Sequence, residues 1–138
     1  MNKPYKLLDH TADIGIETTG DTFMSALSNV IFAMYDLMID MKNVEIIIER
    51  RFSLKRRTDE DTVVDVLENV LFYFETEHFI GKKIEIINNG SSIDIVMKGE
   101  KFDPLKHKTK FEIKAITYHK LVVKRRKGKW IMRVIFDV

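Results

Sequence analysis

Apolar residues recur along this chain with two periods, and each switch of period marks an element. "PYKLLDH" and "IGIETTG" alternate and predict two short strands, the second with Ile14 and Ile16 on one face. Gly20 ends that strand and Asp21 opens a helix as its N-cap, a carboxylate accepting from free first-turn N–H groups. In "FMSALSNVIFAMYDLMI" the apolar positions 23, 27, 30, 31, 34 and 38 follow helical spacing over a wide face. "VEIIIERRFSLK" reads as an isoleucine-rich strand and "RRTDEDT" as a charged connector. There Thr58 and Asp61 form a capping box with Asp in place of Glu. A second helix, "TVVDVLENVLFYFETEH", has apolar positions 63, 64, 67, 70, 71 and 74, and Gly81 stops it. Two alternating runs then flank "NNGSS" as a hairpin. "EKFDPLKHK" is a polar loop containing Pro104, and residues 110–138 form two or three strands with "RKGK" as the last turn. The class is α+β: two helices packed on mostly antiparallel sheet.

Composition bounds this picture. At 138 residues and 45% hydrophobic content, the chain is expected to form a single domain over 1–138 with a core of its own. The net charge of +2 does not by itself imply nucleic acid. With no cysteine, disulfides, thiolate metal sites and a cysteine nucleophile are excluded, so a metal must be held by oxygen or imidazole. No apolar run reaches the roughly 20 residues of a membrane span, and the first residues lack a signal-peptide pattern. A soluble cytoplasmic protein without a membrane partner is the expectation.

Candidate chemistry is concentrated at the two ends. "LDHTADIG" places Asp9, His10 and Asp13 within five positions. These read either as solvated groups at a strand-end turn or as part of a site. In an extended segment Asp9 and Asp13 share a face but lie about 13 Å apart. At the other end, Asp137 brings a side-chain carboxylate next to that of the chain terminus on Val138. Joined by Asp13 or Asp9, these oxygens suit a hard cation, Ca²⁺ or Mg²⁺; the other reading is a solvated tail. Lys114 reads as an outward strand lysine, His119 as a turn residue, His107 as surface decoration of the polar loop, and His78 as a helix-terminal imidazole suited to the dipole. "ERRFSLKRR" and "KRRKGKW" are positive clusters, either solvated strand ends or a footprint for RNA or an acidic partner. Aromatics are not interleaved with them in a base-stacking pattern.

Five pieces, "LDHTADIGI", "GDTFMSALSNVIFAMYDLM", "GEKFDPLKH", "IKAITYH" and "VIFDV", occur in the order seen in the archease family, and the chain resembles that family over its full length. The resemblance implies an accessory factor, not an enzyme. Its partner would be the GTP- and Mn²⁺-dependent RNA ligase that joins 3′-phosphate to 5′-hydroxyl ends in tRNA splicing and RNA repair. The factor would promote guanylylation of that ligase and multiple turnover, meeting RNA and GTP through it. The same resemblance implies a divalent-cation site, calcium-like with Mg²⁺ or Mn²⁺ as alternatives, at Asp13, Asp137 and Val138. Asp9, Asp21 and Lys114 match positions implied in ligase activation. His10, His107 and His119 match motif positions without a role. Adjacent first and last strands would bring Asp13 and Asp137 together. Two other readings are open. One is a metal-dependent hydrolase on the same carboxylates with His10 or His119 as general base. The other is a metal-stabilised RNA-binding or chaperone-like interaction module, with the metal structural and the basic clusters carrying the function through phosphate contacts.

Overall fold

The structure is a computed structural model that describes residues 4–8 and 13–138. Along the chain run β1 (Tyr5–Leu8), β2 (Asp13–Gly20), α1 (Phe23–Met38), β3 (Ile48–Lys55), α2 (Asp59–Glu77), β4 (Phe79–Asn88), β5 (Ser92–Lys101), β6 (Ala115–Arg126) and β7 (Lys129–Asp137). The described strands form two antiparallel sheets, ordered β1-β2-β7-β6 and β3-β5-β4. Each helix packs on strands of both sheets, α1 on β2, β7 and β4, and α2 on β6, β4 and β3. The α+β expectation therefore holds. The first long strand lies beside the last, with the short β1 on its outer edge.

The register of β2 against β7 decides which side chains meet. Ile14 opposes Phe136, Ile16 opposes Val134 and Thr18 opposes Met132, and all six are buried. Each such apolar side chain contributes about 1.5–3 kcal/mol by leaving water. A slip of one residue would turn this row outward, so the core locks the register. On α1 all six periodic positions are buried, as are those of α2 except the half-buried Phe74. The core they share runs continuously from α1 and α2 to both sheets.

Several element ends differ from the sequence expectation. Thr22, not Asp21, caps α1: its hydroxyl accepts from the Ser25 N–H at 3.0 Å and Ser25 Oγ accepts from the Thr22 N–H at 3.1 Å. Asp21 stands one residue outside that box. Thr58 does cap α2, accepting from the Asp61 N–H at 3.1 Å, but the Asp61 carboxylate accepts instead from the Tyr118 hydroxyl at 2.6 Å. Gly81 does not stop α2. The helix ends at Glu77 on a left-handed His78, and Gly81 lies in β4, where a Cβ would press on the Tyr35 ring at 3.1 Å. The third strand begins at Ile48 rather than Val44, after a short 3₁₀ turn over Met41–Asn43. Lys114 precedes β6 rather than lying inside a strand, whereas His119 lies inside β6. The last turn is Lys127–Gly128, both with positive φ, the backbone that a two-residue hairpin with right-handed twist requires.

Candidate functional site

Asp13 and Asp137 are direct cross-strand partners at one end of the four-stranded sheet. Their parity is opposite to that of Ile14 and Phe136, so both project from the face away from the core. Opposed residues on antiparallel strands have Cβ atoms about 4.5–5.5 Å apart, and like charges so placed repel. Asp13 is half-buried and Asp137 exposed. Val138 follows directly, its side chain half-buried against the core margin, which anchors the end of β7. Lys114 joins this group through its backbone, its N–H donating to the Asp137 carbonyl at 2.8 Å. Its side chain is exposed and has no acidic partner among the described residues. The structure thus brings Asp13, Asp137, Val138 and Lys114 to one place from three separate stretches of chain. Asp9 and His10 lie outside the described residues.

Asp21 belongs elsewhere. It follows β2 at the opposite end of the strand, about 26 Å along the sheet from Asp13. There it accepts from Lys129 Nζ at 2.8 Å, and that hydrogen bond holds its carboxyl below the usual carboxylate range. Asp21 and the Asp13–Asp137 pair therefore cannot ligate one ion within a single copy of the chain.

The donor set at the Asp13 end fits a hard cation in chemistry: two carboxylates held on one face, with the Val138 carboxylate one residue beyond Asp137. The set is sparse, since among the described residues no three His, Asp or Glu side chains gather closely enough to hold an ion. Ca²⁺ takes 6–8 oxygens, so most ligands must come from outside the described side chains.

The polar loop after β5 contains a cluster that sequence reasoning missed. His107 is buried rather than decorating the surface. Its Nδ1 accepts from the Asp103 N–H at 2.9 Å, which leaves Nε2 carrying the proton, 3.1 Å from Glu100 Oε2. Glu100 also accepts from the Glu45 N–H at 2.6 Å and from Lys106 at 3.0 Å, and Lys106 reaches Glu45 at 2.8 Å. Burial opposes the Glu100 charge, but these donors outweigh it and hold the carboxyl down at about 2. The cluster ties the 102–107 loop to the segment before β3. Alternation could not reveal it, because Glu100 shares its parity on β5 with Asp94 and Lys98, and only the loop folding over it buries it. The spacing Glu100, Lys106, His107 in "GEKFDPLKH" was the available signal. His119 is exposed, within a bulge of β6 between Thr117 and Val122, and makes no contact with the carboxylate pair.

These features define an α+β protein of two antiparallel sheets with a carboxylate pair at one sheet end. The model of the Archease protein family matches residues 5–138, and the chain belongs to that family. It is similar to Protein archease of Methanosarcina mazei, 32% identical over 100% of this chain and 98% of the relative. A similar match is Protein archease of Pyrococcus furiosus, 30% identical over 94% of this chain and 95% of the relative. Among solved structures, protein 1598 of Methanobacterium thermoautotrophicum superposes with a TM-score of 0.81 at 27% identity, covering 99% of this chain and all of the other. An archease of Thermotoga maritima, described as a possible chaperone, shares the fold with a TM-score of 0.71 at 21% identity, covering 100% of this chain and 98% of that one. No helix among the described residues is long and apolar enough to cross a membrane.

Proposed function

We propose that this chain, acting as one domain over 1–138 in the cytoplasm, is an accessory factor of a GTP-dependent RNA ligase, the enzyme that joins 3′-phosphate to 5′-hydroxyl RNA ends in tRNA splicing and repair. It catalyses no reaction of its own. The observation that carries this reading is the cross-strand pairing of Asp13 with Asp137 in a member of the Archease family. A pair of opposed carboxylates costs stability unless a cation or a cationic partner neutralises it. Such a pair on an exposed sheet end is suited to work at a contact with another protein.

Asp13, Asp137 and Val138 would hold a divalent cation, calcium-like, with Mg²⁺ or Mn²⁺ also matched to oxygen ligands. When bound, the ion supplies positive charge next to a transferring phosphate. Lys114, fixed at the same sheet end by its bond to Asp137, would add a point charge to a phosphate oxygen. Asp9, four residues ahead of Asp13, and Asp21 would bear on activation, Asp21 from the far end of the sheet and so through a second contact with the ligase.

The test is a ligation time course with RNA in excess over the ligase, GTP and Mn²⁺. With the chain present, product is expected to pass a single equivalent of ligase, and without it to stop there. The folded Asp137→Ala variant should behave as if no chain were present. Normal turnover with that variant would sink the carboxylate-pair reading.

A further inference from the structure

The fold joins two basic segments that stand about 70 residues apart. The Phe23 ring meets the Trp130 ring edge-on with centroids 5.3 Å apart, and the Arg56 guanidinium lies over the same Phe23 ring at 4.9 Å. Arg125 opposes Trp130 across the β6–β7 hairpin and so shares its face of the sheet. Arg125 and the connector after β3 thereby lie on one face with an aromatic pair between their cations, while Lys124 and Arg126 alternate to the other face, so the tip presents cations around its edge.

The charge there is largely uncompensated. Lys124, Arg125, Arg126 and Lys127 are exposed, and none has an acidic partner among the described residues. Three neighbouring cations do have partners: Lys129 pairs with Asp21 at 2.8 Å, Arg56 with Asp59 at 3.4 Å, and Arg57 with Asp61 at 3.3 Å and Asp65 at 2.9 Å, which leaves Arg57 out of the proposed contact. Exposed surface pairs of this kind are weak, so a phosphate can replace Asp21 or Asp59 at small cost. The tip is also poor in exposed apolar side chains. The large ones lie elsewhere, with Leu105 and Ile47 the most exposed, Phe72 on α2, Ile87 on β4 and Tyr118 at the far end of β6 from the tip. A stable protein interface needs an apolar centre, whereas a nucleic-acid backbone needs only cations.

We propose that the β6–β7 tip together with Arg56 is a contact surface for the phosphate backbone of single-stranded RNA. The phosphate contact rests on this geometry, and the choice of RNA rests on the ligase reading above. The surface sits at the Asp21 end of the sheet, opposite the carboxylate pair. An RNA strand and a cation would therefore engage different ends of the molecule.

The test uses the chain alone and a fluorescein-labelled RNA oligonucleotide, read by polarisation across a salt series. Each single-strand phosphate contact contributes about 0.7 to the slope of log affinity against log salt. The variant Lys124→Ala/Arg125→Ala/Arg126→Ala leaves the turn intact; it should lower that slope by about 2 and weaken binding at least about tenfold at about 50 mM salt. Exchanging the same three residues between Lys and Arg should keep binding. The wild-type slope reads the same contacts without mutation. Salt-independent binding, no binding at low salt, or equal binding by the Ala variant overturns the proposal. So does an Ala variant that binds RNA normally but fails to activate the ligase, which would assign the surface to a protein. Because the polarisation assay contains no ligase, its failure is distinct from failure of the turnover test with Asp137→Ala.

Discussion

Glu100 keeps a negative charge beneath a loop because three donors from two stretches of chain converge on it: the Glu45 N–H, Lys106 Nζ and His107 Nε2, the last oriented by the Asp103 N–H on its Nδ1. Its folded carboxyl titrates near 2, against 4.5 for the free group. A folded-state value below the unfolded one means that the unfolded chain binds more protons between the two. The stabilisation is therefore complete above about pH 4.5 and is lost as pH falls toward about 2. Urea unfolding at a series of pH values should show this acid limb in the wild type, and Glu100→Gln should flatten it. A Gln variant with an unchanged limb would place the proton uptake elsewhere. The residue scale also explains why sequence reading missed this site: neither the parity of Glu100 nor the polarity of the loop signals burial, and its donors come from positions 45, 106 and 107.

At the scale of elements, the two helices and the two C-terminal hairpins were legible because each carries its own period and turn residues. Their ends were legible only where one residue decides. Asp21 and Thr22 are both good caps, and only the reciprocal partner three residues on, Ser25 for Thr22 against Met24 for Asp21, separates them. Gly81 misled for a similar reason: a glycine after a helix usually ends it, but here His78 takes the left-handed position and Gly81 makes room for Tyr35. Thr58 is the cleaner case, a single hydroxyl closing the N-terminus of a long helix. Thr58→Ala should cost about 1 kcal/mol in chemical denaturation. A change below a few tenths would mean that the acidic first turn of Asp59, Glu60 and Asp61 holds the terminus without the hydroxyl.

The whole molecule shows a division that no local pattern contains. Asp13 and Asp137 meet only because β7 inserts between β2 and β6, and the resemblance to a family, not spacing, was what linked them beforehand. The same topology carries Asp21 away from them to the basic end of the sheet. A thermal melt separates these parts. Calcium at about 100 times its Kd should raise the wild-type Tm by about 9 °C, because a ligand that binds only the folded state stabilises it. Asp13→Asn and Asp137→Asn should abolish that shift. In chelator, each variant should melt no lower than the wild type, since each removes one of two facing like charges. A full calcium shift in both variants would move the ion elsewhere.

The place of β7 has a further consequence during synthesis. Its neighbour β2 leaves the ribosome early, and the strand that covers its inner edge follows about 110 residues later, some 5–20 s at ordinary elongation rates. Throughout that interval β2 is paired on one side only, its backbone edge toward β7 open, the kind of edge that recruits other chains. The yield of this protein should therefore be governed less by how stable the finished sheet is than by how well the nascent chain is sheltered while it waits for its last strand.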